Sequence, residues 1–427
     1  MRSAAFRLVL SSLVPALGLG ATAAVATAQS EPAAAPVEAV PATTMTAEPD
    51  AYAPIAPEPQ PEPTPAPASD KPAVHVVYDK GLLFKTDDDQ FEMKLALRSQ
   101  LRFESSRSFA DGAEFESNFS LPRTRLQLEG YVFGAAHRYK LEVAVGDKGG
   151  FAFAKEYFID WKLGDKLYLR TGQAKRPFSR QELTSDFGST FNERSIANEF
   201  AGGGRDVGVA LHNDYESSPA GLEWALGVYN GFSGGSDRPK TTTTCTQPDP
   251  LLPDITCTTS APSNYPTDFS PAVVARVGFN HGKIKGYSDM DLEGGPLRAA
   301  VAASYKIDLA NFENSDSLSH GVGVDAVIKA EGFDASAAVF GMKLKTADLL
   351  FAGYAQAGFL VVPKKVHLAA RFAFAQKDAD NKEIEARAAF SYLLKGHQLK
   401  IASDVGILKA TGEKAELQVR VMPQLTF

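Results

Sequence analysis

The sequence AELQVRVMPQLTF, from Ala415 to Phe427, gives the clearest indication of the fold. Counted back from Phe427, every second residue is apolar, and polar residues such as Arg420 fill the alternate positions. This period of two is typical of a β-strand with one apolar and one water-facing side. A strand of a soluble sandwich could show the same alternation. A closed membrane barrel accommodates Arg420 better, because its lumen is wet and its strands have no free edges.

The same alternation recurs upstream, beginning at Phe91. Sixteen segments show it: residues 91–103, 119–133, 138–146, 153–163, 166–173, 205–212, 222–229, 272–279, 297–306, 320–330, 333–341, 351–361, 365–376, 383–394, 397–408 and 415–427. An even number is what a barrel with both chain ends on one side requires. We therefore predict an all-β fold, a transmembrane antiparallel β-barrel of sixteen strands.

The predicted connections alternate between short and long, as in outer-membrane barrels. Tight turns are expected at Gly164 and Asp165, Glu331 and Gly332, residues 362–364, and Lys395 and Gly396. Long connections are expected at residues 104–118, 174–204, 230–271 and 307–319. Residues 280–296 break the rule, because this connection is long but falls on the short side. Either a strand is miscounted there or the turn carries an insertion.

The N-terminus has the features of a secretion signal. Arg2 and Arg7 precede an apolar run, and residues 26–28 have the small-x-small pattern of a cleavage site, so residues 1–28 are predicted to be a signal peptide. A membrane anchor is the alternative, but the run is rich in Ala, Gly and Ser and is followed at once by Pro and Glu. The chain is therefore expected to be exported, into the outer membrane of a Gram-negative bacterium.

Residues 29–72 are almost entirely Ala, Pro, Glu and Thr, a composition that cannot build a core. We predict a disordered linker in the periplasm, followed by the barrel over residues 73–427. The linker is either a passive spacer or, as a hypothesis, a contact with the cell wall. Much of the acidic excess behind the net charge of -7 lies in this segment, so bulk charge indicates no nucleic-acid partner.

Cys245 and Cys257 are the only cysteines of the chain, and both lie in the predicted outer loop of residues 230–271. In an exported chain two cysteines this close predict a disulfide that closes the loop.

The lumen of the first five strands is expected to be positively charged. With the apolar face outward, the inward basic residues are Lys94, Arg98, Arg102, Arg123, Arg125, Arg138, Lys140, Lys162, Lys166 and Arg170, against the acids Glu92, Glu129, Glu142, Glu156 and Asp160. A low-dielectric wall would focus this excess and concentrate anions in the channel. The alternative is that these charges simply pair with one another to satisfy the wet interior.

The connection after the fifth strand carries five bases interleaved with four aromatic residues. They are Lys175, Arg176, Arg180, Arg194 and Arg205, and Phe178, Phe187, Phe191 and Phe200. We predict that this connection, residues 174–204, folds back into the lumen as a constriction loop. Its aromatic residues would pack on the wall and its bases would face the opening, where they would set size and charge selectivity.

Several motifs in this half resemble the phosphate-selective porin O and P family. They are PRTRLQLEGYVFG (122–134), YKLEVAV (139–145), YFIDWKL (157–163), LYLRTGQAKRPFSRQELTS (167–185), FNERS (191–195), GRDVGVAL (204–211) and ALGVYNGF (225–232). The resemblance covers residues 90–235 and departs from the family at Pro122, where a second arginine often stands. It implies a sixteen-stranded outer-membrane porin, commonly a homotrimer, that passes phosphate or other small anions by diffusion along arginines and lysines. Matching motif positions hold Arg123, Arg125, Lys175, Arg176, Arg194 and Arg205.

Together these features of the sequence predict an anion pathway without catalysis, cofactor or metal. Its candidate residues are Arg98, Arg102, Arg123, Arg125, Lys140, Arg170, Lys175, Arg176, Arg180, Arg194 and Arg205. A surface-binding barrel, with the cysteine-containing loop as its tip, is an alternative. A barrel enzyme is less favoured, because His212, His320, His367 and His397 are scattered over separate segments.

Overall fold

The computed structural model describes residues 71–145, 153–231, 242–246, 256–260, 271–309, 318–344 and 348–427. The predicted signal peptide and nearly all of the predicted linker lie outside these residues. The first half contains β1 (Val74–Tyr78), β2 (Leu82–Thr86), β3 (Phe91–Ser108), β4 (Glu116–Val132), β5 (His137–Ala144), β6 (Phe153–Gly164), β7 (Leu167–Lys175), β8 (Arg205–His212), β9 (Gly221–Tyr229), β10 (Thr242–Thr246) and β11 (Thr256–Ser260). The second half contains β12 (Ala272–His281), β13 (Arg298–Asp308), β14 (Leu318–Ala330), β15 (Phe333–Leu344), β16 (Leu349–Val362), β17 (Val366–Gln376), β18 (Lys382–Lys395), β19 (Leu399–Ala410) and β20 (Glu416–Thr426).

Sixteen of these strands, β3 to β9 and β12 to β20, form one closed antiparallel barrel. Each pairs with its neighbours in the chain, and β9 pairs with β12. The barrel closes where β20 pairs with β3, with Glu416 opposite Ser108 and Thr426 opposite Arg98. Each of the sixteen segments predicted from the sequence corresponds to one barrel strand. The predicted fold is therefore confirmed.

The outer surface of the barrel is apolar and its lumen is polar over much of its wall. On β17, Phe372 points outward and is 52% exposed, whereas the adjacent Arg371 points inward and is 3% exposed. The same alternation of exposed and buried residues runs through β18 and β19. Large exposed apolar side chains on every side suit a bilayer rather than water. Within the described residues, no helix has the length and apolar character needed to cross a membrane.

Two hairpins were not predicted from the sequence. β1 pairs with β2, and β2 pairs with β3 just beyond the end of β20, with Leu82 opposite Leu95. β10 pairs with β11 in the outer loop, and their register sets Cys245 directly opposite Cys257. Strands of five residues are too short to establish a period. The predicted disulfide concerns side chains outside the described part of the structure and stays a prediction.

The connection predicted at residues 280–296, which is long although it lies at the end of the barrel with the short turns, carries an insertion. β12 ends at His281 and β13 begins at Arg298, and the count of sixteen strands holds. We call residues 282–297 the insert. It folds into the lumen, where the buried Ile284 packs with residues of β13 and β14 and the buried Met290 packs with Leu360 and Leu393. Of the two explanations left open by the sequence, the decorated turn is the correct one.

Residues 176–204, which we call the inward loop, fold into the lumen from the other side. They contain two short helices, α1 (Arg180–Leu183) and α2 (Ile196–Ala201). Each begins at a capping serine: the Ser179 hydroxyl accepts a hydrogen bond from the Glu182 N–H, and Ser195 accepts one from the Asn198 N–H. α2 packs against β15 to β18, so the loop reaches across from its origin between β7 and β8.

Candidate functional site

One side of the inward loop lies on an unusually apolar part of the lumen. Phe178 is 1% exposed and stacks on Phe340 of β15, with 6.0 Å between the ring centroids. From α2, Ile196 and Ala201 join the same buried cluster. The wall contributes small and apolar inward residues, namely Ala338, Phe340, Met342, Leu350, Ala352, Tyr354, Ala373 and Ala375. Burial of apolar surface therefore holds this side of the loop.

The opposite side of the loop faces four arginines, which we call the arginine cluster: Arg98, Arg102, Arg123 and Arg125. They occupy inward positions on β3 and β4, and the register of the two strands sets Arg98 directly opposite Arg125. Like charges facing each other across a strand pair repel. The cluster therefore requires acidic partners.

The inward loop supplies two of these partners, Asp186 and Glu193. Asp186 is 2.9 Å from Arg125 and 3.3 Å from Arg123, and its other oxygen is 2.9 Å from Arg194 of the loop itself. Glu193 is 2.5 Å from both Arg102 and Arg123. These ion pairs fasten the loop to the first two barrel strands.

The wall supplies further acids. Glu142 of β5 is 3.0 Å from Arg98 and 3.1 Å from Arg125, and Glu104 is 3.0 Å from Arg102. The charge of the arginine cluster is thus largely balanced. This agrees with the alternative interpretation given above, in which the charged residues of the lumen pair with one another. Sequence reasoning missed the partners Asp186 and Glu193, although Glu193 lies within the motif FNERS and Asp186 directly follows the motif that ends at Ser185.

The two loop carboxylates remain ionised in this setting. Burial would raise the pKa of Glu193, but the charges of Arg123 and Arg102 outweigh it and lower the pKa to about 2. Burial opposes ionisation of Asp186 in the same way, yet Arg194, Arg123 and Arg125 hold its pKa well below the ordinary range. Both side chains therefore carry a full negative charge at neutral pH.

The bases of the inward loop, and Lys175 and Arg205 at its two ends, contact loop carbonyls and acidic side chains. Lys175 donates to the carbonyls of Leu183 and Thr184, and Arg194 donates to that of Gln181. Arg194 also pairs with Asp186, as described above. The other three bases pair with acids too, Arg176 with Asp206 at 3.8 Å, Arg180 with Asp325 at 3.3 Å and Arg205 with Glu156 at 2.9 Å. A buried cation needs such partners because the lumen solvates it poorly. Their role along an anion pathway stays a prediction.

The last two predicted pathway residues lie on the wall of β5 to β7. Lys140 pairs with Glu156 at 2.6 Å. Arg170 holds Asp160 through two hydrogen bonds of 2.8 and 2.9 Å, and its guanidinium lies 3.8 Å from the centre of the Phe158 ring. Aromatic rings support other cations in the same way, with Phe187 4.1 Å from Arg98 and Phe191 4.2 Å from Arg371.

Below the arginine cluster is a cavity of about 550 Å³, which we call the vestibule. Its charged lining residues are Lys80, Lys94, Arg98, Lys140 and Lys395, with Glu129 as the acid among them. Lys80 comes from the turn between β1 and β2, and Lys395 ends β18. Sequence reasoning missed both, because neither belongs to the wall of the first five strands.

The insert supports the inward loop from the vestibule side. The Asp289 N–H donates to the Gly188 carbonyl at 3.2 Å, and the Asp289 carboxylate accepts from the Thr190 N–H at 2.9 Å. Lys329 of β14 in turn donates to the Ser288 hydroxyl at 2.9 Å. Two segments that enter the barrel from opposite ends therefore meet in the lumen. In the described ranges, no set of three or more His, Cys, Asp or Glu side chains is placed to hold a metal ion.

Residues 93–249 match a sequence model of the family described as phosphate-selective porin O and P. The family resemblance is confirmed. Together with the barrel, the match identifies an outer-membrane porin. No curated protein sequence matches the chain.

A solved porin structure shares the fold, and two further solved structures are less similar. The anion-selective porin from Comamonas acidovorans is 14% identical, with a TM-score of 0.51, and the match covers 78% of this chain and 99% of that chain. The high-pH structure of Pseudomonas putida OprB is 11% identical, with a TM-score of 0.49 and coverages of 78% and 94%. The outer membrane channel DcaP of Acinetobacter baumannii is 13% identical, with a TM-score of 0.48 and coverages of 81% and 99%. At these identities the likeness concerns the porin fold alone.

Proposed function

We propose that this porin lets small anions, phosphate among them, diffuse passively across the outer membrane. Anions would gather in the vestibule and move along the arginine cluster. The pathway residues are those predicted from the sequence, with Lys80 and Lys395 added. The family resemblance and the similarity of the fold to that of the anion-selective porin from Comamonas acidovorans support this assignment.

The observation that carries the proposal is the charge of the vestibule. Five of its lining side chains are basic and one is acidic. Lys80 and Lys395 have no acidic partner within the described part of the chain; the Lys395 ammonium instead lies 5.4 Å from the centre of the Tyr78 ring. Both lysines are exposed at the opening of the vestibule, and cations at a channel mouth raise the local concentration of anions and repel cations.

The same resemblance implies a trimer, and the composition of residues 29–72 implies a linker. We infer a homotrimer in outer-membrane lipid, with the Pro-rich linker in the periplasm, where it acts as a spacer or contacts the cell wall. Chemical cross-linking of the detergent-solubilised protein tests the trimer, since a species of three chains is expected. Recovery of single chains under conditions that cross-link a known trimer would contradict it.

Reversal potentials in planar bilayers under a potassium chloride gradient test the function. We expect the sign that indicates anion preference. The double variant Lys80→Glu and Lys395→Glu should shift the potential toward cations, because it replaces two vestibule cations by anions. The matched control, Lys409→Glu with Lys414→Glu, makes the same charge change at exposed positions at the other end of β19. It should shift the potential less. Absence of a channel, or cation preference in the unmodified protein, would contradict the proposal.

A further inference from the structure

The vestibule is assembled from separate parts of the chain at the end of the barrel that carries the short turns. β3, β4 and β5 contribute to its lining, as do the β1–β2 turn, the β18–β19 turn, the insert and the inward loop. Its opening lies beside Lys80 and Lys395, which are both exposed. A volume of about 550 Å³ lies in the range of sites that enclose organic molecules and far exceeds the space that a single inorganic ion fills.

The inward loop closes the inner end of the vestibule. Ser185, Phe187 and Gly188 of the loop belong to the lining. The next space along the loop, lined by Asp186, Arg123 and neighbouring residues, has a volume of about 10 Å³. That volume is close to the minimum for one water molecule. A molecule large enough to fill the vestibule therefore stops at the loop.

The opening of the vestibule offers two ammonium groups to a negatively charged ligand. Lys94 is 3.9 Å from Asp79, and Lys140 pairs with Glu156. Within the described ranges, by contrast, no acidic side chain lies within ion-pair distance of Lys80 or Lys395. A phosphate monoester carries about two negative charges at pH 7 and binds ammonium groups through short, charge-assisted hydrogen bonds.

Uncharged polar side chains line the same cavity, namely Gln127, Ser185, His397, Gln398 and Thr426. Nε2 of His397, Nε2 of Gln398 and Oγ1 of Thr426 are buried and make no hydrogen bond within the part of the chain that the structure describes. The Lys400 ammonium donates to Nδ1 of His397 at 3.4 Å, so the proton of this imidazole lies on Nε2. All three atoms can therefore donate to an oxygen. Buried donors without a partner are costly, and ligand hydroxyl oxygens at this wall would provide the missing partners.

We propose that the vestibule is a binding site for sugar phosphates, which enter from the end with the short turns and block the channel there. The phosphate group pairs with Lys80 and Lys395, and the sugar hydroxyls accept from His397, Gln398 and Thr426. Ala96, Phe187 and Leu292 supply the apolar part of the lining, against which the ring carbons pack. This inference rests on the proposed conduction of anions and adds to it a ligand class and a direction.

The first test is the chloride current through single channels of the unmodified protein in planar bilayers. Glucose 6-phosphate is added to one side and, after washing, to the other. We expect the half-blocking concentration to be about tenfold lower from one side, a difference of about 1.4 kcal/mol, because the inward loop separates the vestibule from the other side. Glucose and inorganic phosphate at the same concentrations should block much less, since each lacks half of the recognised groups.

The second test concerns the residues. Gln398→Ala removes one hydroxyl-binding group without a change of charge and should raise the half-blocking concentration by about fivefold, the effect of one hydrogen bond. Lys80→Gln with Lys395→Gln removes two charge-assisted contacts and should raise it by at least about tenfold. The matched control Gln376→Ala makes the same change as Gln398→Ala at the far end of β17 and should leave the block unchanged.

Equal block from both sides would overturn the inference, and this measurement decides even if a variant assembles poorly. Block by inorganic phosphate as strong as that by glucose 6-phosphate would overturn it too, because the sugar would then contribute nothing. An unaltered block in Gln398→Ala would likewise contradict the assigned hydroxyl contacts. The reversal potential of the unmodified protein in potassium chloride reports separately on the proposed function.

Discussion

The two walls that receive the inward loop differ in kind. On β15 to β17 the inner surface is apolar, and the loop docks on it through Phe178 and α2. On β3 and β4 the inner surface is basic, and the loop docks on it through Asp186 and Glu193. Dissolved ions do not compete with buried apolar contacts, but they do compete with ion pairs. One side of the loop is therefore an anchor, and the other is an ionic contact that dissolved ions weaken.

The largest effect is expected from removing the anchor. Phe178→Ala deletes a fully buried ring that stacks on Phe340, and such a change costs about 3–5 kcal/mol of docking free energy. The loop should then leave the wall, and trypsin should cut within residues 176–204 of the detergent-solubilised barrel. Mass spectrometry of the fragments gives the cut sites.

The control for this variant is Phe372→Ala, on the outer face of the same wall, where the ring is 52% exposed. It should leave the loop as resistant to trypsin as in the unmodified protein. Equal protection of the loop in Phe178→Ala would show that the ion pairs alone hold it, and the contrast between the two walls would fail.

An intermediate effect is expected from acid, which should loosen the ionic side. On the other side of the loop, burial raises the pKa of Asp289, so this carboxylate is protonated in acid as well. The pKa of Glu193 is lowered from the ordinary 4.5 to about 2. Its ion pairs therefore hold the loop on the arginine cluster with full strength above pH 4.5, and this contribution is lost as the pH falls toward 2. The basic groups that face Glu193 are Arg102, Arg123 and Arg420. Chloride conductance should therefore be constant from pH 7 to 5 and rise below pH 4.5.

The double variant Asp186→Asn with Glu193→Gln provides the comparison for the acid experiment. Because it lacks both carboxylates, its chloride conductance should not rise further in acid. The same rise in the variant would assign the effect to other groups, among them Glu104 and Asp404, which lie near the same arginines.

The smallest effect is expected from locking the loop to the insert. A Cβ atom added at Gly188 would lie 3.9 Å from the Cβ of Ser288, within the range of disulfides. Gly188→Cys with Ser288→Cys should therefore form a disulfide, detectable as a linked peptide pair. Since this contact belongs to the fixed side, the phosphate conductance should be the same before and after reduction.

Unmodified protein treated with the same reductant controls for Cys245 and Cys257. A conductance that is lost on oxidation and recovered on reduction would mean that the loop and the insert must separate during transport. The side of the loop that moves during transport would then be the one that contacts the insert, and not the ionic side at Asp186 and Glu193.

The strands could be predicted from the sequence because a wall between lipid and water imposes a period of two on each of them. The direction of the inward loop was also predictable in outline, from its length and its phenylalanines. Its pairing was not, because Asp186 and Glu193 lie in irregular segments whose partners depend on the three-dimensional path. The vestibule was missed for the same reason, since Lys80 and Lys395 line one cavity only because the β1–β2 hairpin brings Lys80 to this end of the barrel. The apolar part of the inner wall could not be predicted either, because inward alanines such as Ala338 and Ala373 do not form a recognisable apolar pattern in the sequence.

The junction of β3 with β20 has a consequence for assembly. Ser108 and Glu416, which face each other there, are separated by almost the whole barrel sequence. Contacts so distant along the chain form slowly, and until they form both strands present open hydrogen-bonding edges. This seam is therefore expected to close last, and an unfinished cylinder would need protection at these two edges during its passage through the periplasm.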